Sequence, residues 1–237
     1  MKGVSAVVII PTYNECENIP KLVRALLEHD RIGVLVVDDQ SPDGTGAAVD
    51  ALAREFPDRV EGLHRTTNRG FGRSYIDGIK RALTMPVEFI CQMDADFSHD
   101  PARLPALVKA ASNADVVIGS RYVRGGAVVN WPRRRLLLSR FANLYVRLIT
   151  RLAARDCTSG FRCWRRDALA TLPLDRFVSD GYSFLVEMLF VASRQGRRIV
   201  EVPITYVERR EGQSKMSRTV IAESAVTPWR LIATKDS

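Results

Sequence analysis

Two carboxylates one residue apart, Asp94 and Asp96, stand at the end of the apolar run Val87-Glu88-Phe89-Ile90-Cys91-Gln92. A strand that stops at such a pair holds it at the carboxyl edge of a sheet, where open α/β sheets bind ligands. Carboxylate oxygens are hard donors that suit Mg²⁺ or Mn²⁺ carrying a diphosphate. An Asp-x-Asp triplet also arises by chance in solvated turns, so its meaning comes from its company. The buried-strand pattern Ala6-Val7-Val8-Ile9-Ile10 ends at Pro11, which lacks the N–H of a central strand, and is followed by Tyr13 and Glu15. A second run, Val34-Leu35-Val36-Val37, enters the turn-rich acidic segment Asp38-Asp39-Gln40-Ser41-Pro42-Asp43-Gly44-Thr45. Three strands thus end in acidic or aromatic loops, a pattern that points to sugar-nucleotide chemistry.

The elements that position these loops alternate. Between the first two strands, Glu17 to Asp30 places Ile19, Leu22, Val23, Leu26 and Leu27 at helical spacing, and Thr45 to Phe56 repeats the pattern with Ala48, Val49, Leu52 and Phe56. Val60 to His64 reads as a third strand, Asn68 to Tyr75 as a glycine-containing loop before a helix over Ile76 to Thr84, and Pro101 to Ser112 as a helix with proline at its start. Gly70 and Gly72 fit a phosphate-approaching turn and equally a plain loop. Asp115 to Tyr122 reads as a strand ending in Arg121, Thr158-Ser159-Gly160-Phe161-Arg162 as a loop, Tyr182 to Arg194 as a helix, Ile199 to Tyr206 as a strand, and Arg209 to Lys215 as a polar loop. Strands alternating with helices imply an α/β fold, a mostly parallel sheet with helices on both faces.

Residues 131 to 155 differ in kind. Trp131-Pro132-Arg133-Arg134-Arg135 leads into Leu136, Phe141, Leu144, Tyr145, Leu148, Ile149 and Leu152, with Arg140, Arg147 and Arg151 beside that apolar face. Such a helix fits a membrane interface, arginines on lipid phosphates, and equally a core-facing helix with a solvated basic side.

The chain of 237 residues, 46% hydrophobic, is long enough for one domain with a substantial core, and its formal net charge of +8 favours anionic partners. Cys16, Cys91, Cys157 and Cys163 show no zinc-finger spacing and read as reduced thiols. The first 20 residues lack a secretory signal pattern and no apolar run reaches the ~18 residues of a spanning helix, so the expectation is a cytoplasmic protein without a transmembrane domain. A nucleic-acid-binding module, motivated by the charge and by Arg133 to Arg135, is disfavoured because acidic strand ends would repel a phosphate backbone.

Taken in order, Pro11-Thr12-Tyr13-Asn14-Glu15, Val37 to Thr45, Asp94-Ala95-Asp96-Phe97-Ser98-His99, Gly119-Ser120-Arg121-Tyr122, Asn130-Trp131-Pro132, Thr158 to Arg162 and Gly212-Gln213-Ser214-Lys215 resemble the inverting GT-A glycosyltransferases, specifically polyprenol-phosphate (dolichol-phosphate) mannose synthases. The resemblance implies a GT-A sheet with a basic amphipathic acceptor-side helix, residues 1–122 forming a nucleotide-sugar half and 123–237 an acceptor half. It implies GDP-mannose as donor, a polyprenyl or dolichyl phosphate as acceptor, and a β-mannosyl phosphate lipid plus GDP as products. Pro11, Tyr13, Glu15, Val37 and Asp39 match nucleoside-binding positions. Asp94, Ala95 and Asp96 match the diphosphate and metal segment, with Asp96 the principal ligand for Mg²⁺ or Mn²⁺. Ser98 stands where some relatives carry Gln, which weakens its match as a third ligand. Arg73 replaces a small residue of many relatives. Arg121, Arg209 and Lys215 match donor-phosphate positions, the last two on a closing loop, and Arg135 and Ser139 match acceptor-phosphate positions. The implied location is peripheral, on the cytoplasmic face of a membrane, by direct docking or through a membrane anchor subunit.

Residue chemistry alone leaves the donor base open between GDP-mannose and UDP-glucose. A phosphate acceptor, with a second pKa of about 6, needs no strong general base. A hydroxyl acceptor would need one, and Asp180 is the candidate, although the same residue fits a helix N-cap. His99 reads as ordering the loop beside the metal position.

Overall fold

The computed structural model describes residues 1, 3–67, 69–179, 181–208 and 218–233, with the side chains of 218–224 left aside. A central sheet is built from β1 (Ala6–Thr12), β2 (Ile32–Asp38), β3 (Val60–His64), β4 (Phe89–Gln92), β5 (Val116–Ser120), β7 (Arg162–Arg165) and β8 (Ile199–Pro203). A small parallel pair, β6 (Ala127–Val129) and β9 (Thr205–Val207), stands beside it. The helices are α1 (Ile19–Leu27), α2 (Thr45–Glu55), α3 (Phe71–Leu83), α4 (Leu104–Ala111), α5 (Arg133–Thr150), α6 (Arg166–Ala170), α7 (Gly181–Arg194) and α8 (Arg218–Ala233).

Alternation along the strands divides the interior into two cores. In β1, Val7 and Ile9 face one core while Ala6, Val8 and Ile10 face the other; β2 splits Leu35 and Val37 from Ile32, Val34 and Val36 in the same way. Both faces are therefore apolar, as a sheet covered on both sides requires. Ile76 and Ile79 of α3 and Phe184, Met188 and Leu189 of α7 close the first core, and Ile19, Leu22 and Leu26 of α1 with Leu104 and Leu107 of α4 close the second. Each such side chain contributes about 1.5–3 kcal/mol by burial. Helix α3 lies so close that a Cβ on Gly78 would stand 2.6 Å from Ile9 Cγ2 and 2.9 Å from Val37 Cγ2.

The strand order is β3-β2-β1-β4-β7-β5-β8, all parallel except β7, which is antiparallel to β4 and β5. From β1 the chain builds outward through β2 and β3, then returns to the other flank of β1 as β4. The order reverses between β1 and β4, and ligands bind at the carboxyl edge of such a switch point.

Three local expectations change. Helix α3 begins at Phe71, so Phe71 to Tyr75 form its first turns and not a loop. Arg162 starts a strand, because its buried side chain and the Cys163 pairings to Cys91 and Val117 fill the gap between β4 and β5. The strand read over Ile199 to Tyr206 divides: after Pro203, which cannot donate to a ladder, the chain leaves the large sheet and β9 pairs with β6.

Candidate active site

The carboxyl ends of β1, β2 and β4 converge. The loop after β1 is laced to the loop after β2: Asn14 N–H donates to Ser41 Oγ, Glu15 N–H to Thr45 Oγ1 and Cys16 N–H to Asp43 Oδ2, each at 3.0 Å. Pro11 and Val37 are register partners, with Val37 wholly buried beneath α3. Asp39 is held by Arg65, whose Nη1 donates to Oδ1 at 2.5 Å, and by the Gly70 N–H, which donates to Oδ2 at 2.9 Å. Arg65 is itself buried and also donates to Asp77 Oδ2 at 2.7 Å. Tyr13 is half-buried, with the Arg69 guanidinium 5.2 Å from its ring centroid. Glu15 is buried and accepts from Asn18 Nδ2 at 2.8 Å. The expected nucleoside residues thus share one edge, and Arg65 is a member of the group that the sequence did not reveal.

The β4 loop presents Asp94 and Asp96, both half-buried, around the buried Ala95. Ser98 is almost wholly buried and turned inward. Its hydroxyl donates to Asp96 Oδ1 at 2.6 Å and its N–H to the same oxygen at 3.0 Å, so it orients Asp96 from behind. A Cβ on Gly160 would lie 3.3 and 3.4 Å from the two Asp94 oxygens, so glycine keeps that carboxylate clear. His99 Nδ1, buried without a hydrogen-bond partner, lies 3.8 Å from Asp94 Oδ2. Burial holds the imidazole neutral, its pKa lowered to about 4. Two hard carboxylates with one supporting hydroxyl fit a divalent cation. Among the described residues no three acidic, His or Cys groups form a closed metal site. The remaining ligands would then be substrate oxygens and water, as Mg²⁺-type sites commonly use.

Beyond His99 lies an aromatic wall. His99 stacks on Phe161 at 5.2 Å and meets Tyr206 edge-on at 5.4 Å. On the far side Arg121 stands 5.2, 5.7 and 5.5 Å from the ring centroids of Tyr122, Trp131 and Tyr206. Burial opposes its charge, but contact with Asp156 overrides this and holds the guanidinium firmly protonated. Arg135 packs 4.2 Å from the Trp131 centroid and pairs with Glu208, while Tyr122 Oη donates to Ser139 Oγ at 2.7 Å.

Arg121, Arg135 and Ser139 line one cavity of about 370 Å³, whose other walls are mainly apolar: Leu138, Phe141, Tyr145, Val146 and Val186 among them. The resemblance puts Arg121 on the donor phosphates and Arg135 and Ser139 on the acceptor phosphate; in the fold all three line this one cavity. The cavity runs between α5 and α8, which are joined where Tyr145 Oη donates to the Ala225 carbonyl at 2.7 Å and Trp229 Nε1 donates to Tyr145 Oη at 2.8 Å. Arg209, Lys215 and Asp180 lie outside the described residues.

Arg162 holds the intervening loop. Fully buried, it donates to the carbonyls of Ser159, Leu185 and Cys157 at 2.9, 2.7 and 2.8 Å, and burial lowers its pKa to about 10. Nothing in the spacing of Thr158 to Arg162 distinguishes this buried brace from a surface arginine.

Among known proteins, the chain is 48% identical over 231 residues to an undecaprenyl-phosphate mannosyltransferase of Micrococcus luteus, covering 95% of this chain and 93% of that protein. It is 46% identical over 226 residues to a polyprenol monophosphomannose synthase of Mycolicibacterium smegmatis, covering 94% and 85%. In three dimensions it superposes on glucosyl-3-phosphoglycerate synthase of Mycobacterium tuberculosis, solved with Mn²⁺ and UDP-glucose, with a TM-score of 0.69 at 16% identity, covering 99% of this chain and 81% of that one. That likeness supports the GT-A-like α/β fold. Residues 7–172 match the model of the family described as Glycosyl transferase family 2, and with these relatives the match shows that the chain belongs to that family.

Proposed function

We propose that this enzyme transfers mannose from GDP-mannose to a polyprenyl phosphate, with inversion, giving a β-mannosyl phosphoryl lipid and GDP. The observation that carries the reading is the cavity itself: apolar walls ending at two arginines and a hydroxyl match a long hydrocarbon with a phosphate head. The names of the curated relatives support the same substrate class. In this reading residues 1–122 form the donor half of a single domain and residues 123–237 the acceptor half.

Pro11, Tyr13, Glu15, Val37 and Asp39 would border the nucleoside, with Arg65 and Gly70 fixing the Asp39 carboxylate. Asp94 and Asp96 would hold a divalent cation, Mg²⁺ or Mn²⁺, with Ala95 between them and Ser98 orienting Asp96. When bound, that cation supplies electrostatic stabilisation of the diphosphate leaving group. Arg209 and Lys215 would add positive charge to the departing diphosphate. On the acceptor side Arg121, Arg135 and Ser139 would grip the lipid phosphate and aim one oxygen at the anomeric carbon, opposite the leaving group. Because that phosphate is already largely ionised, the site needs arginines and no general base.

The outer surface fits a membrane partner. On α5, Leu137, Phe141 and Leu148 are 65%, 64% and 72% exposed, and Val226 and Trp229 of α8 are also exposed. Arg133, Arg134 and Arg140 flank them. Apolar side chains beside exposed arginines suit the headgroup boundary of an anionic bilayer. None of the described helices is long and apolar enough to cross one. The enzyme would then work from the cytoplasmic leaflet, alone or with an anchor subunit.

The test is transfer of radiolabelled mannose from GDP-mannose to a short polyprenyl phosphate with Mg²⁺ or Mn²⁺, with UDP-glucose in parallel. Mannose in an organic-extractable, mild-acid-labile product is expected; glucose in that product, or mannose appearing only on a hydroxyl acceptor, would overturn the reading.

A further inference from the structure

The Arg121 guanidinium is held from behind by a carboxylate that the proposed chemistry leaves unused. Asp156 is wholly buried, and its Oδ2 accepts from the Arg121 backbone N–H at 2.9 Å and from Nε at 2.7 Å. Its Oδ1 accepts from Nη2 at 2.6 Å, and Nη2 also donates to Thr158 Oγ1 at 2.9 Å. The Nε and Nη2 donors of the planar fork are therefore committed. Nη1 makes no hydrogen bond among the described residues, and Arg121 lines the cavity, so Nη1 is the edge left for an anion there.

The same loop is joined to the acceptor helix. Asn143 of α5, buried one turn after Ser139, donates through Nδ2 to the Ser139 carbonyl at 3.0 Å and to Thr158 Oγ1 at 3.1 Å. Its Oδ1 accepts from the Cys157 N–H at 2.7 Å. Asp156 is in turn fixed by Glu201, whose Oε1 accepts its N–H at 3.0 Å. A buried ion pair serving stability alone requires neither a cavity-lining partner nor a bridge to the helix that carries Arg135 and Ser139.

We infer that Asp156 is a positioning residue for the acceptor phosphate: it turns Arg121 so that Nη1 faces the cavity, and through Thr158 and Asn143 it sets the spacing between Arg121 and the Arg135–Ser139 pair. The inference rests on the acceptor-phosphate reading above. A guanidinium fixed in advance loses less freedom when the phosphate arrives, so the benefit falls on acceptor binding and leaves the donor untouched.

The experiment compares wild type and Asp156→Asn by calorimetric titration with citronellyl phosphate and, separately, with GDP and Mn²⁺, alongside steady-state mannose transfer. Asp156→Asn is expected to weaken citronellyl phosphate binding and raise its KM about tenfold, with GDP affinity and GDP-mannose KM within about twofold of wild type. In an Arg121→Ala background the same substitution should add less than about a twofold further effect, because it acts through Arg121. Equal losses on donor and acceptor, or losses that multiply in the double variant, would overturn the inference. If Asp156→Asn unfolds, seen as lost far-ultraviolet circular dichroism, Thr158→Val takes its place: about a threefold weaker acceptor with unchanged GDP affinity is expected, and an unchanged acceptor would overturn the inference. Citronellyl phosphate binding without mannose transfer in the wild type would refute the functional reading and leave the variant comparison intact. No binding by the wild type would overturn both.

Discussion

Gly160 and Asp94, 66 positions apart in the chain, meet so closely that a methyl group on the glycine would stand 3.3 Å from one carboxylate oxygen and 3.4 Å from the other. The strand–loop pattern delivers Asp94 to the sheet edge, but the later loop at Gly160 decides which way its carboxylate is free to turn. Gly160→Ala should displace that carboxylate by a few tenths of an ångström, lowering transfer about tenfold, on the scale by which small misplacements affect catalysis. Thermal stability should change little. Transfer rates at several Mn²⁺ concentrations check this, with partial recovery expected at high metal.

Asp96 and Ser98 form a second such pair. Ser98→Ala removes a hydroxyl that donates to Asp96 Oδ1 at 2.6 Å, a contact between buried or half-buried groups. The variant should lose about 1–2 kcal/mol of stability and require several-fold more metal for half-maximal transfer. Asp96→Ala should abolish metal-dependent transfer while the fold survives. Denaturant melts and metal titrations of both variants distinguish an orienting hydroxyl from a ligand, since loss of a ligand would resemble Asp96→Ala.

Arg135 pairs with Glu208 across the cavity rim, and both side chains are about one-third exposed. An acceptor phosphate would compete with Glu208 for the same guanidinium. Glu208→Gln is therefore expected to lower the acceptor KM about two- to threefold, and Arg135→Ala to raise it about tenfold or more, with the GDP-mannose KM nearly unchanged in both. Steady-state kinetics with each substrate varied separately read the split. A matching loss of donor affinity in Arg135→Ala would place Arg135 on the other side of the reaction.

The exposed residues Leu137 and Leu148, which do not line the cavity, should act at a bilayer. Leu137→Asp with Leu148→Asp is expected to weaken cosedimentation with anionic phosphatidylglycerol vesicles about tenfold or more, with transfer to a short soluble acceptor nearly preserved. High salt should weaken wild-type binding as well, because each arginine near the surface contributes about 1 kcal/mol.

Cysteine reactivity offers an independent check of the interior. Cys91, Cys157 and Cys163 are buried, and burial pushes the Cys157 thiol up to about 12. At pH 8 about one part in ten thousand of it is thiolate, so iodoacetamide should modify native protein at Cys16 alone. The raised value also fixes a sign. Cys157 contributes stability below the ordinary thiol value of 9, and this is lost as pH rises toward 12. Intact-mass spectra with and without denaturant, from pH 8 to 10, measure the labelling directly.

Much of this architecture was legible in the chain. Continuous apolar runs predicted β1, β2 and β4, and period-3.6 spacing predicted α1, α2 and α5, because these signals lie within a single element. Strand β7 and the pair β6–β9 were not legible. β7 is four residues long with an arginine at each end, and nothing local marks Arg162 as buried. The first turn of α3 was hidden for a related reason: Gly70 and Gly72 read as loop, yet Gly72 is buried within the helix.

By itself the sequence determined that acidic and aromatic residues would collect at the carboxyl ends of neighbouring strands. Which segments become strands and which become helices follows from local hydrophobic periodicity. Only the tertiary structure decided which residues share a pocket. Arg121 meets Asp156 across 35 residues, and Arg135 meets Glu208 across 73. Arg121 consequently lines the mainly apolar cavity with Arg135 and Ser139. Such pairings carry no periodic signal, because they depend on how the chain closes on itself and on the burial that makes an isolated charge costly enough to require its partner.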